Sequence, residues 1–257
     1  APDDSDHARR LLALCLKRVI GLSGRALEPL LKATDREWLA TVSGGEAAPP
    51  AVAADLPDWA WTRLAAARGE AQALAFGRAM QQPAPLDLRV NTQRMHRDEA
   101  LAALQASGVD CAATPLSPLG IRLVHKITLQ DHALFRNGSV EVQDEGSQLL
   151  GLLVGARRGE RVGDFCAGAG GKTLLLAAQM RDSGQVYAFD VSEKRLAQLS
   201  PRLKRAGASN VQPQRIEDET DPRLDKLAGK LDRVLVDAPC SGLGTLRRNP
   251  DLKFRQN

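Results

Sequence analysis

The sequence lacks the features that mark membrane proteins, disulfide-rich proteins and metalloproteins. No run of about eighteen apolar residues occurs in its 257 residues, so we expect no membrane-spanning helix. Neither a Cys-x-x-Cys pair nor a histidine at ligand spacing to a cysteine is present, which argues against a disulfide framework and a structural metal site. Free thiols suit a reducing, cytoplasmic compartment. The four cysteines are Cys15, Cys111, Cys166 and Cys240.

Aromatic residues and a strong charge of one sign are also missing. Aromatic side chains make up 4% of the chain, and the formal net charge is only +4. This mild positive balance permits a polyanionic partner but does not require one. The remaining composition, 43% hydrophobic and 26% charged, is typical of a globular protein with one large domain or two modest ones.

The two ends of the sequence lack the signals of a complete protein. The chain begins with Ala1, and its first residues have neither the basic nor the apolar segment of a signal peptide. Residues 252–257 stop without a helix cap or a terminal tail. We therefore expect a piece of a longer protein, truncated at both ends, and nothing in the sequence suggests more than a monomer.

Hydrophobic patterning divides the chain into three regions. Residues 1–82 show helical spacing of leucine and alanine, interrupted at residues 43–50 by glycines and prolines that predict a linker. Residues 83–143 mix short strands with one helix and predict a small α+β module. Residues 144–257 alternate strand and helix, which predicts a parallel, doubly wound α/β sheet. Ligands of such sheets bind beyond the carboxyl ends of the strands.

The first of these strand ends carries a glycine-rich turn, residues 164–173 (Asp-Phe-Cys-Ala-Gly-Ala-Gly-Gly-Lys-Thr). A nucleotide P-loop requires glycine where Cys166 stands, and a dinucleotide motif requires glycine where Thr173 stands. The acidic-x-G-x-G-x-G pattern of S-adenosylmethionine enzymes fits best, with Asp164 as the acid and Cys166 in place of the first glycine. A turn that merely connects strand to helix is the alternative.

Acidic residues follow the next two strands. Asp190 lies 20 residues past Gly170, where a carboxylate can accept hydrogen bonds from the ribose hydroxyls of a nucleoside cofactor, whether S-adenosylmethionine or NAD. Asp218 and Glu217 are candidates to reach the adenine amino group. Both are equally consistent with solvated loop acids.

The fourth strand end, residues 236–245, combines an acid with a thiol. Asp237, Pro239 and Cys240 follow the strand directly, beside the expected cofactor. Methylation at C5 of a pyrimidine needs such groups, because C5 becomes nucleophilic only after a thiolate adds to C6, and the protons at N3 and C5 must then be managed. Alternatively, Cys240 is a small buried apolar residue.

Several segments, in a fixed order, resemble one family. They are residues 88–92 (Leu-Arg-Val-Asn-Thr), 142–148 (Val-Gln-Asp-Glu-Gly-Ser-Gln), 166–173, 190–192 (Asp-Val-Ser), 237–242 (Asp-Ala-Pro-Cys-Ser-Gly) and 246–251 (Leu-Arg-Arg-Asn-Pro-Asp). Through them, residues 57–257 resemble the bacterial small-subunit ribosomal RNA cytosine-5 methyltransferases of the Fmu/Sun type, related to the eukaryotic NSUN proteins. The resemblance implies a Rossmann-like class I methyltransferase sheet in residues 144–257, with its C-terminal half missing. It also implies an RNA-recognition-like module in residues 83–143 and a remnant of a helical RNA-binding bundle in residues 1–82.

The resemblance also implies roles for individual residues. Asp237 would contact both the cofactor and the cytosine, and Cys240 would assist product release. Two positions depart from the family pattern, since Gly168-Ala169 replaces the usual Ala-Pro and Glu217 replaces the usual glycine before Asp218. The residues expected to bind S-adenosyl-L-methionine are Cys166, Ala167, Gly168, Ala169, Gly170, Gly171, Lys172, Asp190, Asp218 and Asp237.

One further departure concerns the nucleophile. In the family the attacking thiol belongs to a Thr-Cys-Ser motif on a later strand, and no Thr-Cys-Ser occurs in this sequence. Cys240 cannot simply replace that thiol, because its implied role is in release. We therefore predict that the chain is catalytically inactive and unstable by itself.

Basic residues are the candidates for RNA contact. Arg247, Arg248 and Lys253 follow Cys240 and are expected to hold phosphates of the target strand, although each is also consistent with a solvated surface charge. Because few aromatic rings are available to stack on bases, we expect recognition by shape and charge. Further candidates in the small module are Arg89, Arg94, Arg97, Arg122 and Arg136.

Three functions remain compatible with the sequence. The first is an S-adenosylmethionine-dependent RNA cytosine-5 methyltransferase that acts on ribosomal RNA, expected to be 16S, through a covalent cysteine–C6 adduct. The second is a dinucleotide-dependent oxidoreductase, which leaves Asp237 and Cys240 unexplained. The third is a non-catalytic RNA-binding protein with a vestigial methyltransferase fold. Neither a metal nor a membrane is expected to take part.

Overall fold

A computed structural model describes residues 4–18, 21–42 and 48–254 of the chain. The chain divides into two units, Ala1–Ala79 and Met80–Asn257. Of the predicted linker at 43–50, residues 43–47 lie outside the described residues. The domain boundaries expected at 82/83 and 143/144 stay predictions.

The first unit is helical. Its buried apolar cluster is formed by Ala13, Leu27, Leu31 and Leu39. The helical spacing predicted after the linker is divided between two helices, because Gly69 adopts a positive φ of 83° that ends the first of them. The helices are α1 (Asp4–Arg18), α2 (Gly24–Leu27), a 3₁₀ turn (Glu28–Leu30), α3 (Ala33–Val42), α4 (Pro50–Ala53), α5 (Asp58–Arg68) and α6 (Glu70–Met80).

The second unit begins with a small antiparallel sheet in the order β2-β3-β1-β4. Its apolar side packs on α7, because Leu88, Val90 and Ile121 of the sheet share one buried cluster with Ala100 and Leu104 of the helix. The short strands predicted here are confirmed, and the one predicted helix is α7, which a one-turn helix, α8, accompanies. The elements are β1 (Leu86–Val90), α7 (Arg97–Ala106), β2 (Cys111–Ala113), β3 (Gly120–Leu123), α8 (Ala133–Arg136) and β4 (Val140–Val142).

A second sheet follows, with four parallel strands in the order β7-β6-β5-β8. This order reverses between β5 and β8, so the switch point of the predicted doubly wound sheet lies beside the strand ends Phe165 and Val236. The elements are α9 (Glu145–Val154), β5 (Arg161–Phe165), α10 (Gly171–Gln179), β6 (Gln185–Asp190), α11 (Glu193–Ala206), β7 (Val211–Arg215), α12 (Pro222–Asp225), β8 (Arg233–Val236) and the 3₁₀ turns Leu243–Thr245 and Pro250–Phe254.

Helices lie on both faces of this sheet, as a doubly wound fold requires. On one face, α10 packs Leu176 against Val162 and Val186, and α11 packs Leu199 against Ala188. The other face carries the segment around α12, and an apolar cavity of about 330 Å³ lies between this segment and the strands. Both faces of the sheet are apolar because successive side chains of a strand point to opposite faces.

Candidate functional site

Two loops meet at the switch point and face one cavity of about 850 Å³. The glycine-rich loop, residues 166–172, follows β5, and the thiol segment, residues 237–240, follows β8. The two loops adjoin because β5 and β8 are parallel neighbours that pair Phe165 with Val236. The cavity has the size of an ordinary ligand site. Sequence reasoning thus places the two motifs correctly at adjacent strand ends.

The glycine-rich loop has a tightly constrained backbone. Cys166 adopts a φ of +71°, in the left-handed region that favours glycine, at the position where the cofactor motif has its first glycine. Gly170 adopts a φ of +85°, and a Cβ built there would lie 2.1 Å from Cδ1 of Leu199. The loop leads into α10 at Gly171, so the free N–H groups of the first helical turn lie at the cavity.

Asp164 supports this loop from below. It is 1% exposed, and Thr173 Oγ1 donates a 2.6 Å hydrogen bond to its carboxylate. Burial raises the pKa of Asp164 to about 6, because a charged carboxylate is poorly solvated in the protein interior. The acid of the sequence motif is therefore bonded to a side chain in the first turn of α10, and it also lines the cavity.

Asp190 ends β6 and binds two backbone groups. Its carboxylate accepts 2.8 Å hydrogen bonds from the N–H groups of Gly168 and Ser192. It is 3% exposed and is not part of the cavity lining among the described residues. Each carboxylate oxygen has a second lone pair. The expected ribose contact of Asp190 stays a prediction.

Lys172 and Asp237 join the two loops. Lys172 Nζ lies 2.5 Å from a carboxylate oxygen of Asp237, and both side chains line the cavity with Pro239 and Cys240. Asp237 is 49% exposed, whereas Lys172 is 13% exposed. Cys240 is an exposed free thiol, so the alternative that it is a buried apolar residue is wrong. Burial raises the pKa of the Cys166 thiol on the opposite side of the cavity.

Asp218 lies apart from these residues. It borders a separate cavity of about 350 Å³ with Glu217 and Arg223. Its carboxylate accepts hydrogen bonds from the N–H and hydroxyl of Thr220, which lower its pKa. The structure does not bring Asp218 to the main cavity, and its contact with adenine stays a prediction.

The basic residues expected to contact RNA have partners within the protein. Arg247 donates to the carbonyl groups of Gln82 and Pro83, and Arg248 pairs with Asp144. Lys253 also makes an interaction within the chain. Their RNA contacts stay predictions.

Two of the five arginines proposed as RNA contacts in the small module bind partners within the protein instead. Arg89 is 3% exposed and binds internal partners, so its expected phosphate contact is wrong. Arg122 donates twice to the buried carboxylate of Asp87. Arg122 is partly exposed, whereas Arg89 is buried, and the ordinary strand pattern around Arg89 does not signal its burial. Arg94 donates to two carbonyl groups, Arg97 pairs with Asp98, and Arg136 is exposed.

The comparisons with known proteins agree with this geometry. Residues 152–257 match the family model "16S rRNA methyltransferase RsmB/F", and residues 56–130 match the model of the RsmF/B-like ferredoxin-like domain. The chain belongs to the RsmB/F methyltransferase family. Members of this family are S-adenosylmethionine-dependent methyltransferases, and the chain has their Rossmann-like class I fold.

Curated RsmB/F relatives match most of this chain. Ribosomal RNA small subunit methyltransferase B of Pseudomonas syringae is 36% identical over 80% of the chain, and that of Photorhabdus laumondii is 33% identical over 77%. The match covers 45% of each relative, so the chain spans about half of their length.

Solved structures agree on the fold. A methyltransferase homologue from Pyrococcus horikoshii has a TM-score of 0.63 at 29% identity, covering 77% of this chain and 69% of its own. The structure of PH0851 has a TM-score of 0.73 at 23% identity, covering 98% of this chain and 68% of its own, and its likeness shows the fold alone.

Sequence reasoning missed part of the cavity of this RsmB/F chain. Arg195, Gln198 and Arg202 of α11 line it together with Gln143 and Ser147. A signal for the first three exists in the sequence, because positions i, i+3 and i+7 share one face of a helix. Gln143, just after β4, and Ser147 of α9 lie in the segment 142–148 that carries the family resemblance, but no local pattern marks them as cavity residues.

Two absences apply to the described ranges 4–18, 21–42 and 48–254. Within them, no set of three or more histidine, cysteine, aspartate or glutamate side chains is grouped to hold a metal ion. Within the same ranges no helix has the length and apolar character needed to cross a membrane.

Proposed function

We propose that the chain is the cofactor-binding part of an S-adenosylmethionine-dependent ribosomal RNA methyltransferase that acts on cytosine C5. The observation that carries the proposal is the shared cavity. It brings the glycine-rich loop and the thiol segment together across the switch point, with Lys172 and Asp237 in contact. The sequence similarity to small-subunit RNA methyltransferases supports ribosomal RNA, expected to be 16S, as the substrate.

The donor set fits this cofactor. The N–H groups at the start of α10 suit the carboxylate of the methionine part, since a helix N-terminus attracts negative charge. We assign cofactor contacts to the loop from Cys166 to Lys172 and to Asp237, and ribose and adenine contacts to Asp190 and Asp218. When bound, the cofactor supplies an electrophilic methyl group. The cavity of about 850 Å³ has room for the cofactor and a base.

The thiol segment suits the target base. In the proposed function, Asp237 faces N3 of the cytosine and manages its proton while a thiolate adds to C6. Cys240 assists separation of the base from that thiolate after methylation, as the family resemblance implies. Arg247, Arg248 and Lys253 hold phosphates of the target strand. We propose that the protein acts in the cytoplasm.

Cofactor titration tests the proposal. We expect S-adenosylhomocysteine to bind the chain in isothermal titration calorimetry and to bind more tightly than NAD. Tighter binding of NAD would support the oxidoreductase alternative and overturn the proposal. The matched variant Cys240→Ala, which leaves the glycine-rich loop intact, serves as a control and should retain the affinity.

An adduct assay tests the role of Cys240. Because the sequence contains no Thr-Cys-Ser, we expect the 257-residue chain to bind cofactor without methylating 16S rRNA. A longer chain that includes the motif should transfer methyl groups, and its Cys240→Ala variant should accumulate a covalent RNA adduct. Turnover by that variant without an adduct contradicts the release role.

A further inference from the structure

Two arginine side chains hold carbonyl groups of the glycine-rich loop, Arg89 from the small sheet and Arg202 from α11, and Arg202 also lines the cavity. Arg89 of β1 donates through Nη1 to the carbonyl oxygen of Gly171 at 2.6 Å. Arg202 of α11 donates through Nη1 to the carbonyl oxygen of Ala169 at 2.5 Å. The two carbonyl groups flank Gly170, whose left-handed backbone forms the turn into α10.

The small sheet holds these arginines in turn. Arg89 itself belongs to β1, and its Nη1 also donates to Gln143 Oε1 at 2.5 Å, just after β4. Arg202 pairs with Glu141 of β4, with Nη2 and Oε1 3.3 Å apart. Glu141 is 8% exposed and accepts further hydrogen bonds from Arg205. Thus residues of the small sheet reach both sides of the Gly170 turn.

The burial of Arg89 is unusual for a charged side chain. It is 3% exposed, and burial lowers its pKa to about 10, so the guanidinium remains charged at neutral pH. A buried charge costs free energy unless polar partners compensate it. Here the partners are neutral, an amide and a loop carbonyl group, with Glu141 as a nearby opposite charge. Hydrogen bonds from a charged donor are short and strong, and they fix the direction of the carbonyl group.

We propose that Arg89 and Arg202 are positioning residues for the cofactor, and that the small sheet, through Gln143 and Glu141, forms part of the cofactor site. By holding the carbonyl groups of Ala169 and Gly171 away from the ligand, they keep the N–H groups of the loop and first helical turn directed at the cavity. The proposal rests on the function proposed above for that cavity.

Affinity for S-adenosylhomocysteine tests the proposal with matched variants. We expect Arg202→Gln and Arg89→Lys to raise the Kd by about tenfold or more, since small displacements of ligand-binding groups are costly. Arg89→Lys keeps the charge, and Arg202→Gln leaves Glu141 paired with Arg205. The control is Asn91→Ala, because buried Asn91 donates to Gly138 and Ala206 within the same unit without contacting the loop.

The control should lower the melting temperature while keeping the Kd within about twofold of the original chain, since its contacts lie away from the ligand. If Arg202→Gln and Arg89→Lys also stay within that range, the proposal is overturned. If the original chain binds no S-adenosylhomocysteine, the proposed function fails instead.

Amide hydrogen exchange separates the two failures, because it needs no ligand. We expect the amides of residues 168–173 to exchange faster in both arginine variants than in Asn91→Ala at equal stability. Unchanged exchange at these amides overturns the positioning role whether or not a cofactor binds.

Discussion

The two sides of the cavity differ in how they are held. The glycine-rich loop is held from several directions: Phe189 and Asp190 bind its N–H groups, and two arginines bind its carbonyl groups. The thiol segment is exposed throughout residues 237–240. Asp237 ties it to the rest of the sheet edge, through its pair with Lys172 and a 3.3 Å hydrogen bond from its N–H to Phe165 O. A fixed loop suits a cofactor that binds in one pose, whereas an exposed segment suits a large substrate that must enter and leave.

The largest effect is expected within the fixed loop, at Gly170. Gly170→Ala should lower the free energy of unfolding by about 2–4 kcal/mol, because its new Cβ meets buried Leu199 and its φ is strained. Gly168→Ala is the matched control: its φ is also positive but nothing lies within 4 Å of a new Cβ. It should cost about 1 kcal/mol. Equal losses in urea unfolding would show that the loop is not tightly packed at Gly170.

The second-largest change in stability is expected at Asp164, beneath the same loop. Its pKa is raised from 3.8 to about 6 in the folded chain, so folding favours its protonated form. This contribution to stability is fully present below about pH 4 and is lost as pH rises through 6, by at most about 3 kcal/mol. Asp164→Asn should remove that dependence. The measurement is the free energy of unfolding of both chains in urea from pH 4 to 7. If the difference between the two free energies does not change with pH, the raised pKa of Asp164 is contradicted.

A smaller effect is expected where the two sides meet. Asp237→Asn should change the free energy of unfolding by no more than about 1 kcal/mol, because half-exposed ion pairs contribute little. Its effect should appear in the affinity for S-adenosylhomocysteine, measured by calorimetry. A stability loss as large as that of Gly170→Ala would mean that the thiol segment is built into the core.

The smallest effect is expected at Cys240. Cys240→Ala should alter stability by less than about 0.5 kcal/mol, since the side chain is exposed. Thiol labelling at pH 7 sharpens the contrast between the two sides. Cys240 should react well before Cys166, whose thiol has a pKa raised by burial. Faster labelling of Cys166 contradicts the assigned environments.

The parallel sheet and the glycine-rich side of the site can be predicted from the sequence. The alternation of strand and helix predicts the parallel sheet, and glycine spacing predicts the loop, because both depend on local pattern. The left-handed backbone of Cys166 is consistent with its position in the motif, where glycine is usual.

The remaining features depend on contacts between distant segments. Arg89 looks like a surface arginine on a strand, but its partner Gly171 lies 82 residues away. Asp218 follows its strand as expected, but local bonds to Thr220 hold it at another cavity. Such outcomes depend on how elements pack, which local patterns do not specify.

A crystal structure of the chain with S-adenosylhomocysteine tests the central claim most directly. We predict that the ligand lies between the glycine-rich loop and Asp237, with its ribose hydroxyls bonded to Asp190 and Arg89 and Arg202 still bound to the loop carbonyl groups. Ligand bound elsewhere, or bound there after the loop has left both arginines, would contradict the account.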